Sequence, residues 1–223
     1  MSHDVRACKS VVLAGLATFI TIIISSCSSV QPVRVLEKDT YVATGSLGGA
    51  FLPEKSPAGI LPYLTVGGAH SVTDDVTMHG HLHLLLAAFG VAGLDYGASY
   101  RALRQDGAVP EVTVGAQLLM FAKVSSEPNP RVYPNLTANA SWKVGEQSLI
   151  YTGSHATIQF SNGDVFVSPF IGYQFPLNKT FDLQIEGTWQ AANRNTSAGV
   201  FEGLSSINGT GSYGFYIGGI YKL

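Results

Sequence analysis

Side chains along residues 76–86 alternate in character with a period of two. Val76, Met78, Gly80, Leu82, Leu84 and Leu86 fall on one face, and Thr77, His79, His81 and His83 on the other. Successive side chains of a strand point to opposite faces, so such a stretch has one greasy and one polar side. The same alternation recurs along residues 91–103, 111–124, 135–144 and 180–191. Weaker versions cover residues 41–51, 60–72, 148–160, 165–175 and 212–223. Ten strands result, each about as long as a tilted strand must be to cross a membrane.

The connections alternate as well. Thr73-Asp74-Asp75, Gln105-Asp106-Gly107, Gly145-Glu146-Gln147 and Leu177-Asn178-Lys179 read as tight turns. The intervening connections, at 52–59, 87–90, 125–134, 161–164 and 192–211, are more varied. Membrane barrels show this asymmetry, with short periplasmic turns and longer outer loops. The expected fold is all-β: an antiparallel up-and-down transmembrane β-barrel of about ten strands. The count becomes eight if the first strand and the short connection at 87–90 dissolve. Both chain ends then lie on the periplasmic side.

Periodicity alone does not say which face turns inward. A soluble barrel tethered by a lipid, binding a small apolar ligand inside, would carry the same pattern inverted. Composition favours the membrane. Only 13% of residues are charged, against about 25% in soluble domains. Aromatic residues also fall near strand ends, at Tyr41, Tyr63, Tyr173, Phe175, Trp189, Tyr213 and Tyr221, where membrane girdles belong. The formal net charge of −2 gives no strong attraction to nucleic acid, and no nucleic-acid partner is expected.

The N-terminus has the layout of a secretory signal. Arg6 and Lys9 precede an uncharged apolar run at 11–24, followed by Ser25, Ser26 and Cys27. That run is too short for a membrane-spanning helix, which needs about 20 residues. The end of the run, Ile23-Ile24-Ser25-Ser26-Cys27, resembles the lipobox of bacterial lipoproteins. The resemblance implies cleavage before Cys27 and acylation of its thiol. Ile24 and Ser26 depart from the commoner Leu and Gly or Ala of that motif. Ser28 in place of Asp resembles the pattern of lipoproteins passed on to the outer membrane. A second resemblance lies at the other end. Tyr216, Gly218, Tyr221 and Leu223 are similar to the C-terminal signal read by the outer-membrane assembly machinery, with Tyr and Leu at positions usually polar and aromatic. Expected boundaries are a signal peptide at 1–26, a lipidated tether at 27–39 and the barrel at 40–223. The expected partners are outer-membrane lipid, the assembly machinery, and an envelope or extracellular partner that the sequence does not identify.

Candidate site residues lie mainly on the polar faces. His79, His81, His83, Asp95, Arg101, Glu111, Lys123, Lys143, Asp182 and Glu186 would point into the lumen, where desolvated opposite charges need partners. Neighbouring alternate residues lie about 6.6 Å apart, so His79 and His81 could converge on one metal ion. All three histidines are too spread for one ion. No cofactor is expected. Ser154 and His155 are adjacent and so face opposite ways, which denies them a nucleophile–base pairing. A hydrolase acting on lipid or peptide, with His155 or one of the His79–His83 group as base, is kept as an alternative. No catalytic residue is assigned. In the longest loop, Phe201, Leu204 and Ile207 fall near helical spacing with Val200 and are the candidates for outer-loop contacts. The expected role is a structural or surface-interaction barrel without a wide pore, since ten strands leave little free lumen.

Overall fold

The computed structural model describes residues 30–51, 60–88, 90–124, 130–160, 163–195 and 210–223. The strands are β1 (Tyr41–Phe51), β2 (Ile60–Thr73), β3 (Val76–His83), β4 (Val91–Leu103) and β5 (Glu111–Lys123). They continue with β6 (Arg131–Val144), β7 (Ser148–Gln159), β8 (Asp164–Pro176), β9 (Phe181–Asn195) and β10 (Thr210–Lys222). Each pairs antiparallel with its neighbours in the chain, and β1 pairs with β10 to close a ten-stranded barrel. The closing seam runs from Val42 opposite Lys222 to Ala50 opposite Gly214.

The greasy faces point out. Leu47, Leu82, Leu94, Leu118, Leu136, Ile171 and Ile217 are exposed on the outer wall. The polar faces point in, and Thr65, Ser71, Thr77, Asp95, Gln117, Asn135 and Ser141 are buried. A soluble barrel requires the reverse, so the tethered soluble alternative fails. Of the expected girdle residues, Tyr41, Tyr173, Tyr213 and Tyr221 are exposed on the outer wall. Tyr63 is not part of a girdle. It is buried inside, with its hydroxyl on His83.

Two departures from the expected elements have local causes. The third strand stops at His83 rather than Leu86, and a short helix α1 (Leu84–Ala88) follows. Three leucines and two alanines favour helix, and Gly90 closes the turn at a φ of 73°, donating to the Ala87 carbonyl. The helix turns Leu86 inward as a lid residue, 2% exposed. β9 and β10 are also longer than the alternation suggested. A bulge between Thr210 and Ser212 offsets their pairing.

The largest departure concerns the tether. Its described part is not a solvent-borne linker. Val30, Val33 and Val35 are buried inside the barrel. Val33 packs with Leu149, Tyr151 and Phe170, and Leu36 with Val42, Ala69 and Ile220. The Leu36 amide donates to Thr77 Oγ1 at 2.9 Å, and the Asp39 amide to the Ser71 carbonyl at 3.1 Å. A solvent-borne tether is polar, yet four residues between 30 and 36 are Val or Leu. Apolar side chains without a strand partner are driven under cover, and the lumen is the cover within reach.

Large interior side chains need small neighbours on the wall. Tyr216, 1% exposed, lies against Gly48 of the adjacent strand. A Cβ at Gly48 would sit 2.7 Å from Tyr216 Cα and 2.9 Å from its ring. Gly187 faces outward with nothing within 4 Å. Gly48→Val is therefore expected to block closure at the β1–β10 seam, while Gly187→Ala leaves it intact. The heat-modifiable shift on cold gels reads the outcome.

Candidate functional site in the barrel lumen

The lumen is filled in three layers. At the short-turn end, β4, β5, β6 and the N-terminal segment bring charges together. Arg34 Nε donates to Ser141 Oγ at 2.8 Å, and Arg34 also reaches Gln105 and, at 3.8 Å, Glu111. Arg101 donates to the carbonyls of Asp74 (2.7 Å) and Val35 (3.0 Å) and lies 3.4 Å from Glu111 Oε1. Glu111 is thus held between two guanidinium groups. A cavity of about 540 Å³ opens here, lined by Arg34, Glu37, Arg101, Arg104, Glu111 and Lys143. Lys222 and Asp182 form a second pair at this end, at 3.3 Å.

The middle layer is hydrogen-bonded and buried. His81 Nδ1 lies 2.8 Å from Asp95 Oδ1, and His83 Nε2 lies 3.0 Å from Asp95 Oδ2. Tyr63 Oη stands 3.0 Å from His83 Nδ1. On the opposite wall, Tyr151 Oη donates to Glu186 Oε2 at 3.2 Å and accepts from Gln184 Nε2 at 2.7 Å. Thr188 Oγ1 donates to Glu186 Oε1. His155 Nδ1 meets Thr137 Oγ1 at 3.0 Å, and its ring lies tilted against Phe170, 4.8 Å between centroids.

The third layer, toward the long-loop end, is apolar. Ala50, Tyr63, Leu86, Val91, Leu119, Phe121, Phe166, Ala191 and Tyr216 form one cluster with Val30. Tyr63 meets Tyr216 edge-on at 5.9 Å, and Phe121 meets His83 at 5.2 Å.

These layers place the residues singled out by the alternation. His79, His81, His83, Asp95, Asp182 and Glu186 are buried in the interior. Arg101 is half-buried at the short-turn mouth. Lys123 and Lys143 differ from expectation: both have inward parity but sit at strand ends, where they are exposed. Asp182 and Glu186 do not meet; each has separate partners. Ser154 and His155 lie on opposite faces, and Ser154 Oγ donates to the His155 carbonyl. Cys27, Phe201, Leu204 and Ile207 lie outside the described residues. Sequence reasoning missed Arg34, Leu119, Phe121, Tyr151 and Tyr216. Parity could have found Leu119 and Phe121, which share a face with Thr113 and Gln117.

A closed antiparallel sheet, greasy outside and polar within, defines a transmembrane β-barrel. The sequence matches no family model and no curated protein. Solved structures similar to it include the KdgM porin, with a TM-score of 0.46 and 9% identity over 82% of this chain and 99% of that one. An outer membrane channel from Pseudomonas putida F1 gives 0.44 and 11%, over 87% and 100%. The translocator domain of the autotransporter NalP from Neisseria meningitidis gives 0.42 and 8%, over 99% and 98%.

Asp95 is fully buried and accepts from two rings at once. Asp95→Ala leaves both without their acceptor. Unfolding in urea from detergent or vesicles is expected to show a loss of roughly 1–3 kcal/mol.

Proposed function

We propose that this is an outer-membrane β-barrel lipoprotein whose role is structural or surface-interacting, with a lumen closed by its own N-terminal segment. The observation that supports this reading is the seating of residues 30–36 inside the barrel. Val30 occupies the space a side chain at Gly218 would need, its Cβ 3.0 Å from that position. Arg34 and Arg101 bind the same segment to the wall. Barrels near eight strands are filled by side chains, and open channels need about sixteen. Among the described residues, an inserted segment, an ionic layer and an aromatic layer occupy the ten-stranded lumen, which supports a closed reading.

In this reading, assembly is by the outer-membrane insertion machinery, and the short turns and C-terminus face the periplasm. The long loops, with Phe201, Leu204 and Ile207, form the surface that meets an envelope or extracellular partner. Cys27 carries the lipid. Three residues reach at most about 10 Å and Val30 packs in the layer toward the long loops, so a lipid at Cys27 inserted in the periplasmic leaflet requires Val30 to leave that seat while Arg34 to Leu36 hold theirs.

Wild-type barrel in planar bilayers is expected to carry no steady ion current. Deleting residues 28–36 should open one, with the cold-gel shift reporting that the barrel still closes. A steady wild-type current through single barrels would refute the closed-lumen reading. For the lipid, mass spectrometry of the mature chain should show a start at Cys27 plus acyl groups. Cys27→Ala should remove those groups yet leave the domain in membranes after urea extraction, because strands do the anchoring.

A further inference from the structure

We propose that the lumen holds a site for a divalent first-row transition metal ion, formed by His79 and His81 with Asp95 behind them. The hydrogen bonds set the ring tautomers. A carboxylate only accepts, so His81 carries its proton on Nδ1, toward Asp95 at 2.8 Å, and His83 carries its own on Nε2, toward Asp95 at 3.0 Å. The His83 Nδ1 lone pair then takes the Tyr63 hydroxyl at 3.0 Å, and that ring is satisfied. His81 is left with a lone pair on Nε2, buried and without a hydrogen-bond partner. At His79, Nε2 stands 3.4 Å from Ser99 Oγ, and Nδ1 is buried with no hydrogen-bond partner; a hydroxyl can accept, and donation from Nε2 to Ser99 leaves the lone pair on Nδ1. The rings are 4% and 1% exposed, so neither orphaned nitrogen has bulk water to meet it.

Two unused imidazole nitrogens on alternate residues of one strand are metal donors in waiting. One ligand atom from each of His79, His81 and Asp95 falls within 4.8 Å of the others, and the two ring centroids are 6.1 Å apart. A tetrahedral ion with bonds of about 2.1 Å sets its ligand atoms about 3.4 Å apart, so atoms at the 4.8 Å limit close by about 1.4 Å and nearer ones by less. Asp95 on the far nitrogen of His81 is the second-shell arrangement that fixes a ligating ring and raises its basicity. Imidazole donors select zinc, copper, nickel or cobalt over calcium and magnesium. A 2+ charge also offsets the buried Asp95 carboxylate. The site does not depend on whether the lumen conducts.

The test uses the full chain, purified without an oligohistidine tag, refolded in detergent and stripped with chelator. Titration with Co²⁺, followed by its visible absorption, is expected to show one ion per chain, displaced by Zn²⁺. His79→Ala and His81→Ala should each weaken binding by about tenfold or more, and Asp95→Asn by roughly 10- to 100-fold. His155→Ala, in the same lumen but bonded to Thr137, should keep wild-type affinity. The cold-gel shift reports folding, and Gln replaces Ala at either histidine if an Ala variant does not close. A wild-type barrel without stoichiometric Co²⁺ uptake overturns the proposal. So does unchanged affinity in folded His79 and His81 variants, or an equal loss in His155→Ala.

Discussion

Closure of the sheet at the β1–β10 seam is the constraint on which the rest depends. In hydrocarbon there is no water to satisfy an open strand edge, and each unmet backbone group costs several kcal/mol. Once Val42–Ala50 pairs with Gly214–Lys222, every wall residue must point either to lipid or to the lumen. The outer wall can then be almost purely apolar. The inner wall inherits most of the polar side chains, at a density that a ten-stranded lumen cannot hydrate freely.

The interior is the consequence. Polar groups forced together seek partners in one another, and many find them in local sets: Glu111 between Arg34 and Arg101, Asp95 between two histidines, Glu186 between Tyr151 and Thr188; His79 and His81 each keep one nitrogen unmet. Where the outer loops begin, the same crowding is met with aromatic rings in place of charge. The N-terminal segment completes the filling. Its valines take the apolar gaps and its arginine takes the ionic layer.

The sequence made much of this legible, for a simple reason. A period-two pattern survives any detail of packing, so residues 76–83, 91–103 and 111–123 could be read as strands with known faces. The positions of His79, His81, His83, Asp95, Asp182 and Glu186 on the polar face followed from parity alone. Residues 84–86 read as strand because Leu84 and Leu86 continue the parity of Leu82; Leu85, which would fall on the polar face, marks the helix turn. Tyr63 was misread because an aromatic residue near a strand end fits either the girdle or the lumen.

What the sequence determined by itself is the all-β class, the alternation of turn lengths and the identity of the two faces; closure decided ten strands over eight. What only the tertiary structure decided is which face turned inward, which charges met, and where residues 30–36 went. Those three depend on contacts between residues far apart in the chain, such as Arg34 with Ser141 and Val33 with Phe170. No local period encodes such distances. They are set by the diameter of the closed barrel and by what is left to fill it.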